Sequence, residues 1–449
     1  MGDLVLANAD LDSALSERRE AYIAANPRSL ARFIEATAVM PGGNTRTVLF
    51  FDPFPLTISR GEGAFLWDLD GARYIDFLGE YTAGIYGHSH PVIRRAVERA
   101  LDGGINLGGH NLQEARFARA VTERFGLERV RFTNSGTEAN LMAIATAVAS
   151  TGRRKVLAFR GGYHGGVFTF RTGGSPINAP YEFLLGRYND SAGTLSLIED
   201  HARDLAAIII EPMLGGGGCI PAEREFLAAL RDAANAVGAV LIFDEVMTSR
   251  LGPAGLAASF GIRPDLTTLG KYIGGGMSFG AFGGRADLLD LFDPRRPDAL
   301  PHAGTFNNNI LTMAAGLAGL TEVYTEDAAS ALSARGDALR ERLNSLCRRA
   351  GVPMQFTGVG SMMSVHFTAA PIRAPEDAAG ADPRRKELFF FDLLAGGIWL
   401  ARRGMINLSL PIGDAECDAL VGAVQEFVDG RRRLLDAAAH RPAPGSVSV

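Results

Sequence analysis

Lysine is almost missing from this chain. Of 449 residues, 45 are lysine or arginine, yet Lys155, Lys271 and Lys386 are the only lysines. Arginine carries the rest of the positive charge, so a general preference for basic residues explains none of the three. Cysteine is equally rare: Cys219, Cys347 and Cys417 are far apart, odd in number and form no CxxC. That spacing excludes a disulfide frame and a zinc site and fits a reducing compartment. No apolar run approaches the roughly 20 residues that span a bilayer. The start, Met1-Gly-Asp-Leu-Val-Leu-Ala7, lacks the basic region and long apolar core of a signal peptide. The expectation is a cytoplasmic protein. A net charge of −5 and a pI of about 6.0 recommend neither nucleic acid nor an anionic membrane as partner.

What the chain has in excess is glycine. Its 54 glycines exceed the average share of about 7%, and they gather in short motifs that read as tight turns and close ligand approaches. The apolar content of 47% is enough for a large core.

Helical spacing over residues 10 to 39 predicts two helices broken near Asn26-Pro27. Short antiparallel strands follow over residues 56 to 78, with a hairpin turn at Asp68-Leu-Asp70-Gly71. Pro91 opens a helix, and His88 and His90 beside it read as capping or packing residues. From about residue 113 helix and strand alternate: a helix over Gln113 to Phe125, a strand over Val130 to Thr133, a turn at Asn134 to Glu138, a helix over Ala139 to Ser150, and strands at Lys155 to Phe159, Leu205 to Ile210 and Val240 to Phe243. This rhythm predicts an α/β fold with a mainly parallel sheet covered on both faces. Beyond about residue 325 a smaller α+β unit is expected, with a strand pair around Ile398 to Leu410. The predicted division is an N-terminal segment of helices and β ribbon (1–75), a large α/β domain (76–325), a C-terminal small domain (326–436) and a flexible tail (437–449).

The run Val240 to Phe243 ends abruptly in Asp244. A short apolar run bounded by polar residues reads as a buried parallel strand, and its carboxyl end is where open α/β sheets bind ligands. Lys271 lies 27 residues on, before Tyr272-Ile-Gly-Gly-Gly276. Separately, Asp244 fits a strand cap and Lys271 a surface loop. Together they supply what pyridoxal phosphate needs: a lysine able to form a Schiff base once burial lowers its pKa, and an acid for the ring nitrogen.

Ser135-Gly136-Thr137-Glu138 follows a strand and opens a helix. It is a capping box, but it also presents first-turn N–H groups, two hydroxyls and a glycine to an anion. The other phosphate loops fail: the only Gly-Lys pair, Gly270-Lys271, precedes Tyr272, and no G-x-G-x-x-G stands in the right context. Tyr163 and His164, between the pairs Gly161-Gly162 and Gly165-Gly166, offer an aromatic platform at a strand's end. Thr305, in His302-Ala-Gly-Thr305-Phe, fits a helix cap or a second anion contact. Arg46, after Pro41-Gly-Gly43, fits a solvated loop charge or an anion clamp.

These motifs resemble the class III aminotransferases, fold type I pyridoxal-phosphate enzymes, over nearly the whole chain. The similarity rests on Asn134-Ser-Gly-Thr-Glu-Ala-Asn140, Gly162-Tyr-His-Gly165, Asp244-Glu-Val-Met-Thr248, Leu269-Gly-Lys-Tyr-Ile-Gly-Gly-Gly276 and Gly304-Thr-Phe306. The branch is that of glutamate-1-semialdehyde aminomutase. Within it Asn44-Thr-Arg-Thr-Val-Leu-Phe50, Tyr81-Thr-Ala-Gly84, Gly104-Ile-Asn-Leu107, Gly304-Thr-Phe-Asn-Asn-Asn309 and Arg403-Gly404 look most like the aromatic β-amino acid (β-phenylalanine) aminotransferases. The resemblance implies that Lys271 carries the cofactor, Asp244 holds its ring nitrogen, and Ser135, Gly136 and Thr137 cradle its phosphate. Tyr163 and Val246 would flank the ring, His164, Glu211 and Met247 would complete the pocket, and Thr305 would reach the phosphate from the other subunit of a homodimer. Arg46 and Arg403 would grip substrate carboxylates. Strand alternation allows only one of Arg402 and Arg403 to face inward. Arg46, Phe51 and Tyr81 are expected in the substrate wall. The expected reaction is ping-pong transfer of an amino group from a β-amino acid to 2-oxoglutarate or pyruvate. The alternatives are a glutamate-1-semialdehyde aminomutase, from whose pattern Phe306-Asn-Asn-Asn309 departs, another class III ω-aminotransferase, and a catalytically silent protein of the same fold, against which the intact Lys271, Asp244 and Ser135–Thr137 stand.

Overall fold

The computed structural model describes residues 10–171 and 173–435. The expected tail at 437–449 and the segment Met1–Ala7 lie outside the described residues. Strands β1 (Arg129–Thr133), β2 (Lys155–Phe159), β3 (Glu182–Gly186), β4 (Leu205–Ile210), β5 (Val240–Asp244), β6 (Leu266–Gly270) and β7 (Gly280–Gly284) form one sheet in the order β1-β7-β6-β5-β4-β2-β3. All neighbours are parallel except β7, which runs antiparallel to β6 and β1. Every residue of β4, β5 and β6 is buried. That explains the unbroken apolar runs of β4 and of β5 up to Asp244: with helices on both faces, no position there needs to be polar until the strand ends.

The carboxyl ends of β5 and β6 lie side by side. Asp244 pairs with Thr268, and Gly270 pairs with Gly280, which in turn pairs with Thr133 at the end of β1. Three distant segments, Asn134–Gly136, Asp244–Val246 and Gly270–Lys271, therefore emerge at one edge. The packing leaves no space there. A Cβ on Gly280 would overlap the Ser135 carbonyl, and one on Gly136 would lie 2.8 Å from Val246 Cγ1.

Around this sheet the terminal segments meet. The predicted helices appear as Leu11–Ala25 and Pro27–Thr37, broken at Asn26. The strands Ile58–Glu62, Phe65–Asp68 and Arg73–Asp76 form a meander, and Ile398–Trp399 adds to it in parallel with Arg73–Asp76. The expected pair around Ile398 to Leu410 does not form. Met405–Asn407 belongs to a different sheet, beside Met362–His366, because the turn at Arg402–Arg403 redirects the chain. Gly404, at φ 92°, closes that turn, and a Cβ there would lie 2.6 Å from Val365 Cγ1.

The helix after β1 starts at Gly136, three residues before the expected Ala139, because Ser135 caps it by accepting the Glu138 N–H at 3.2 Å. Phe51 is not in a substrate wall. It is 3% exposed, with its ring 4.9 Å from that of Phe390 and 5.7 Å from that of Tyr22. It anchors the base of the Arg46 loop in the core between the two termini. Among the described residues no helix is long and apolar enough to cross a membrane, and no cluster of His, Cys, Asp or Glu could hold a metal ion.

Candidate active site

Lys271 directly follows β6 in a left-handed conformation, φ 54°. The segment facing it, Glu80, Tyr81 and Thr82, has φ values of 47°, 51° and 82°. Four non-glycine residues in that region are costly, and such strain persists only where the surroundings impose it. Here the surroundings are visible. Asp76 Oδ1 accepts the Leu78 and Gly79 N–H groups at 2.9 Å, and Asn407 Nδ2 donates to the Leu78 carbonyl at 2.8 Å. The fully buried Arg250 donates to the Thr82 and Leu408 carbonyls and to Ser361 Oγ. The outcome is that the Tyr81 carbonyl accepts from Lys271 Nζ at 2.7 Å.

Lys271 has no acid ion-pair partner among the described residues. Burial, then the charges of Arg403 and Arg46, push its amine down to about 8. A lysine so placed is a nucleophile close to neutral pH.

Asp244 is 3% exposed at the end of β5. Its Oδ2 accepts from Asn140 Nδ2 and faces His164 Nδ1, both at 2.8 Å, and its Oδ1 accepts the Val246 N–H at 3.0 Å. Asn140 is itself fixed, donating to the His164 carbonyl at 3.0 Å and accepting from Thr268 Oγ1 at 2.6 Å. His164 thus stands behind Asp244.

Glu211, expected in the cofactor pocket, turns both carboxylate oxygens to backbone: Oε1 accepts the Tyr163 N–H at 3.0 Å and Oε2 the Gly215 N–H at 2.9 Å. Burial raises its carboxyl to about 7. Glu211 therefore sets the Tyr163 platform, whose ring is 40% exposed. Met247 is buried beside Gly215.

Thr137 Oγ1 accepts the Gly166 N–H at 3.3 Å, which ties the helix N-terminus to the Tyr163 loop. Gly165, at φ 120°, passes so close that a Cβ would overlap that hydroxyl.

Two arginines lie against the Tyr81 ring: Arg403 at 4.9 Å from its centroid and Arg46 at 5.6 Å. Arg46 pairs with Glu80. Arg403 turns inward while Arg402 is exposed. The reason is the turn before Gly404, not strand alternation. Thr305 is exposed on its loop beside Phe306, itself 57% exposed, and no hydrogen bond among the described residues brings it to Lys271.

Asn140, the Tyr81 carbonyl and Glu80 were not among the expected site residues. Asn140 left a trace in the sequence, as a polar residue in an apolar helix one turn past Gly136. The other two depend on a backbone conformation that local sequence does not signal.

The residues suit pyridoxal phosphate. The amine is unpaired by acid, the buried carboxylate is held from behind with accepting capacity to spare, a capped 16-residue helix starts beside both, and a tyrosine ring stands exposed between glycines. Known proteins agree. The model of the family Aminotransferase class-III matches residues 51–428. β-Phenylalanine transaminase of Variovorax paradoxus is 56% identical over 431 residues, 96% of this chain and 99% of that protein. The solved β-phenylalanine aminotransferase from that organism superposes with a TM-score of 0.94, over 95% of this chain and 99% of that one. A transaminase solved with pyridoxal phosphate bound is 33% identical, with a TM-score of 0.83, over 91% of this chain and 98% of that one. Glutamate-1-semialdehyde 2,1-aminomutase of Sorangium cellulosum is 40% identical over 395 residues, 83% of this chain and 89% of that protein. The chain therefore belongs to the class-III aminotransferases, enzymes that work with pyridoxal phosphate.

Proposed function

We propose that this protein takes the amino group from a β-amino acid with an aromatic β-substituent, of the β-phenylalanine kind, and gives it to a 2-oxo acid at the same site. The observation that carries this reading is the pair Arg46 and Arg403 on the ring of Tyr81, the residue whose carbonyl accepts from the Lys271 amine. Planar guanidinium groups suit carboxylates, and the aromatic surface between them suits an aryl group. The very similar Variovorax paradoxus enzyme supports the same choice.

When bound, pyridoxal phosphate supplies an aldehyde for the amine and an electron sink for the carbon that loses its proton. Lys271 Nζ would carry the group and would move that proton. Asp244, held by His164, Asn140 and the Val246 N–H, keeps a proton on the ring nitrogen. The first-turn N–H groups after Ser135, with Gly136 and Thr137, receive the phosphate. Tyr163 and Val246 would enclose the ring, with Glu211 holding the Tyr163 loop from behind and Met247 beside Gly215. Arg46 holds the donor carboxylate, for which it must leave or share Glu80, and Arg403 serves the acceptor. Thr305 belongs with the phosphate of a second copy in a homodimer. The exposed Leu107, which lines one cavity with Thr305 and Phe306, and the exposed Leu112 next to it support such a pairing. The parallel pairing of Arg73–Asp76 with Ile398–Trp399 supports a small unit to which both terminal segments contribute.

An absorbance titration tests the reading. Adding β-phenylalanine to the loaded enzyme without acceptor should deplete its visible band, and a 2-oxo acid should restore it. A band unmoved by β-phenylalanine but moved by glutamate 1-semialdehyde would transfer the assignment to the aminomutase. No band after incubation with the cofactor would end it.

Arg46→Ala should lower kcat/KM for β-phenylalanine by about 10- to 100-fold, the usual worth of a charged hydrogen bond. An unchanged value refutes the clamp.

A further inference from the structure

The mouth of the site holds more positive charge than the chain neutralises. Arg46 and Arg403 stand on the Tyr81 ring and Arg171 on the Tyr163 ring, and among the described residues only Arg46 of the three has a carboxylate partner, Glu80. Among the described residues neither Arg403 nor Arg171 makes an ion pair. Arg403 Nε is buried without a hydrogen-bond partner, and its Nη2 meets only the Met405 sulfur, at 3.8 Å.

Arg171, on the loop that follows the Tyr163 platform, lies exposed with its guanidinium 5.7 Å from the Tyr163 ring centroid. Gly216 makes room for it: a Cβ there would lie 3.1 Å from Arg171 Nη2 and 3.5 Å from Tyr163 Cβ. The two free guanidinium groups act on each other. After burial, the Arg171 charge is the next cause that lowers Arg403. Tyrosine faces attract cations but neutralise no charge. Like charges held together without a counter-ion favour an anion between them.

The helix N-terminus at Ser135 already accounts for the cofactor phosphate, and Arg46 accounts for one substrate carboxylate. A second substrate carboxylate is what is left to fill the gap. The aryl group of a β-amino acid donor brings none, and neither does pyruvate. A dicarboxylic 2-oxo acid does.

We propose that Arg171 and Arg403 together hold the second carboxylate of a dicarboxylic 2-oxo acid whose first carboxylate lies on Arg46, so that Arg171 selects dicarboxylic over monocarboxylic amino acceptors. This deepens, and rests on, the transaminase reading given above.

The test measures kcat/KM for 2-oxoglutarate and for pyruvate with β-phenylalanine as donor, in the loaded wild type, Arg171→Ala and Arg171→Lys. Calorimetry of glutarate, a dicarboxylate that cannot react, accompanies it. In Arg171→Ala the 2-oxoglutarate to pyruvate ratio should fall about tenfold or more, and glutarate should bind about tenfold more weakly. Arg171→Lys, which keeps the charge, should recover most of both. Equal losses for the two acceptors would mean that Arg171 merely supports Tyr163, and would overturn the assignment. So would an unchanged ratio, or a wild type that takes pyruvate as well as 2-oxoglutarate. If β-phenylalanine fails to convert the wild type, the transaminase reading fails on its own, while the glutarate titration still supports or overturns the Arg171 site.

Discussion

Lys271→Ala should lose turnover by at least about 10,000-fold, because one amine both carries the cofactor and moves the proton, and a positioned acid–base group alone is worth up to about that much. The loss should be chemical and not structural. Lys271 makes one side-chain hydrogen bond, to the Tyr81 carbonyl, and anchors no ion pair. The phosphate cup, the Tyr163 platform and Asp244 all remain, so the variant should fold and still bind the cofactor, but release it on gel filtration. In the wild type, borohydride should fix the cofactor's mass to the peptide containing Lys271. The pH dependence follows from burial: the neutral amine is the reactive form, and its titration is moved from 10.5 to about 8. At pH 7 roughly one amine in ten is neutral, against a few in ten thousand for an unperturbed lysine. Aldehyde capture by cofactor-free protein should therefore rise with pH to a midpoint near 8. Appreciable turnover by Lys271→Ala sinks the mechanism.

Much of this site was legible because its parts sit where secondary structure ends. Asp244 stops an apolar strand, Ser135 caps a helix, and Lys271 is one of three lysines in an arginine-rich chain. Each is a local anomaly, and local anomalies survive in sequence. What was not legible depends on contacts between distant segments. Arg403 and Tyr81 are 322 positions apart by their numbering and meet across the two units. The choice between Arg402 and Arg403 fell the expected way for another reason, a turn that no alternation rule describes. Phe51 is expected in the substrate wall with Arg46 and Tyr81, yet Tyr22, Phe390 and Trp399 claim it for the core. The left-handed run Glu80–Thr82 is headed by Gly79, itself at φ 54°, but its own three residues are not glycine. It is imposed by Arg250, Asp76 and Asn407 from outside the segment.

Asp244→Asn should retain the fold and lose kcat by about 100- to 1,000-fold, the usual effect of removing one preorganised electrostatic contact. The substitution keeps the shape of the side chain and removes its charge. Three donors converge on the present carboxylate: Asn140 Nδ2 and His164 Nδ1 on Oδ2, and the Val246 N–H on Oδ1. An amide has a single oxygen. If that oxygen stays with Asn140 and His164, its NH2 is turned against the Val246 N–H. The stability loss should then be about 1–3 kcal/mol, one unsatisfied buried pair, of the same order as the roughly 2.7–4 kcal/mol lost from the rate. Asn140→Ala separates the two contributions. It leaves the charge in place but frees Asp244 on one side, so it should cost stability of the same order and much less rate. Equal kcat losses in the two variants would mean that the geometry of the carboxylate, and not its charge, is what the site requires. An Asp244→Asn protein with near wild-type kcat would show that the ring nitrogen needs no acid from this chain.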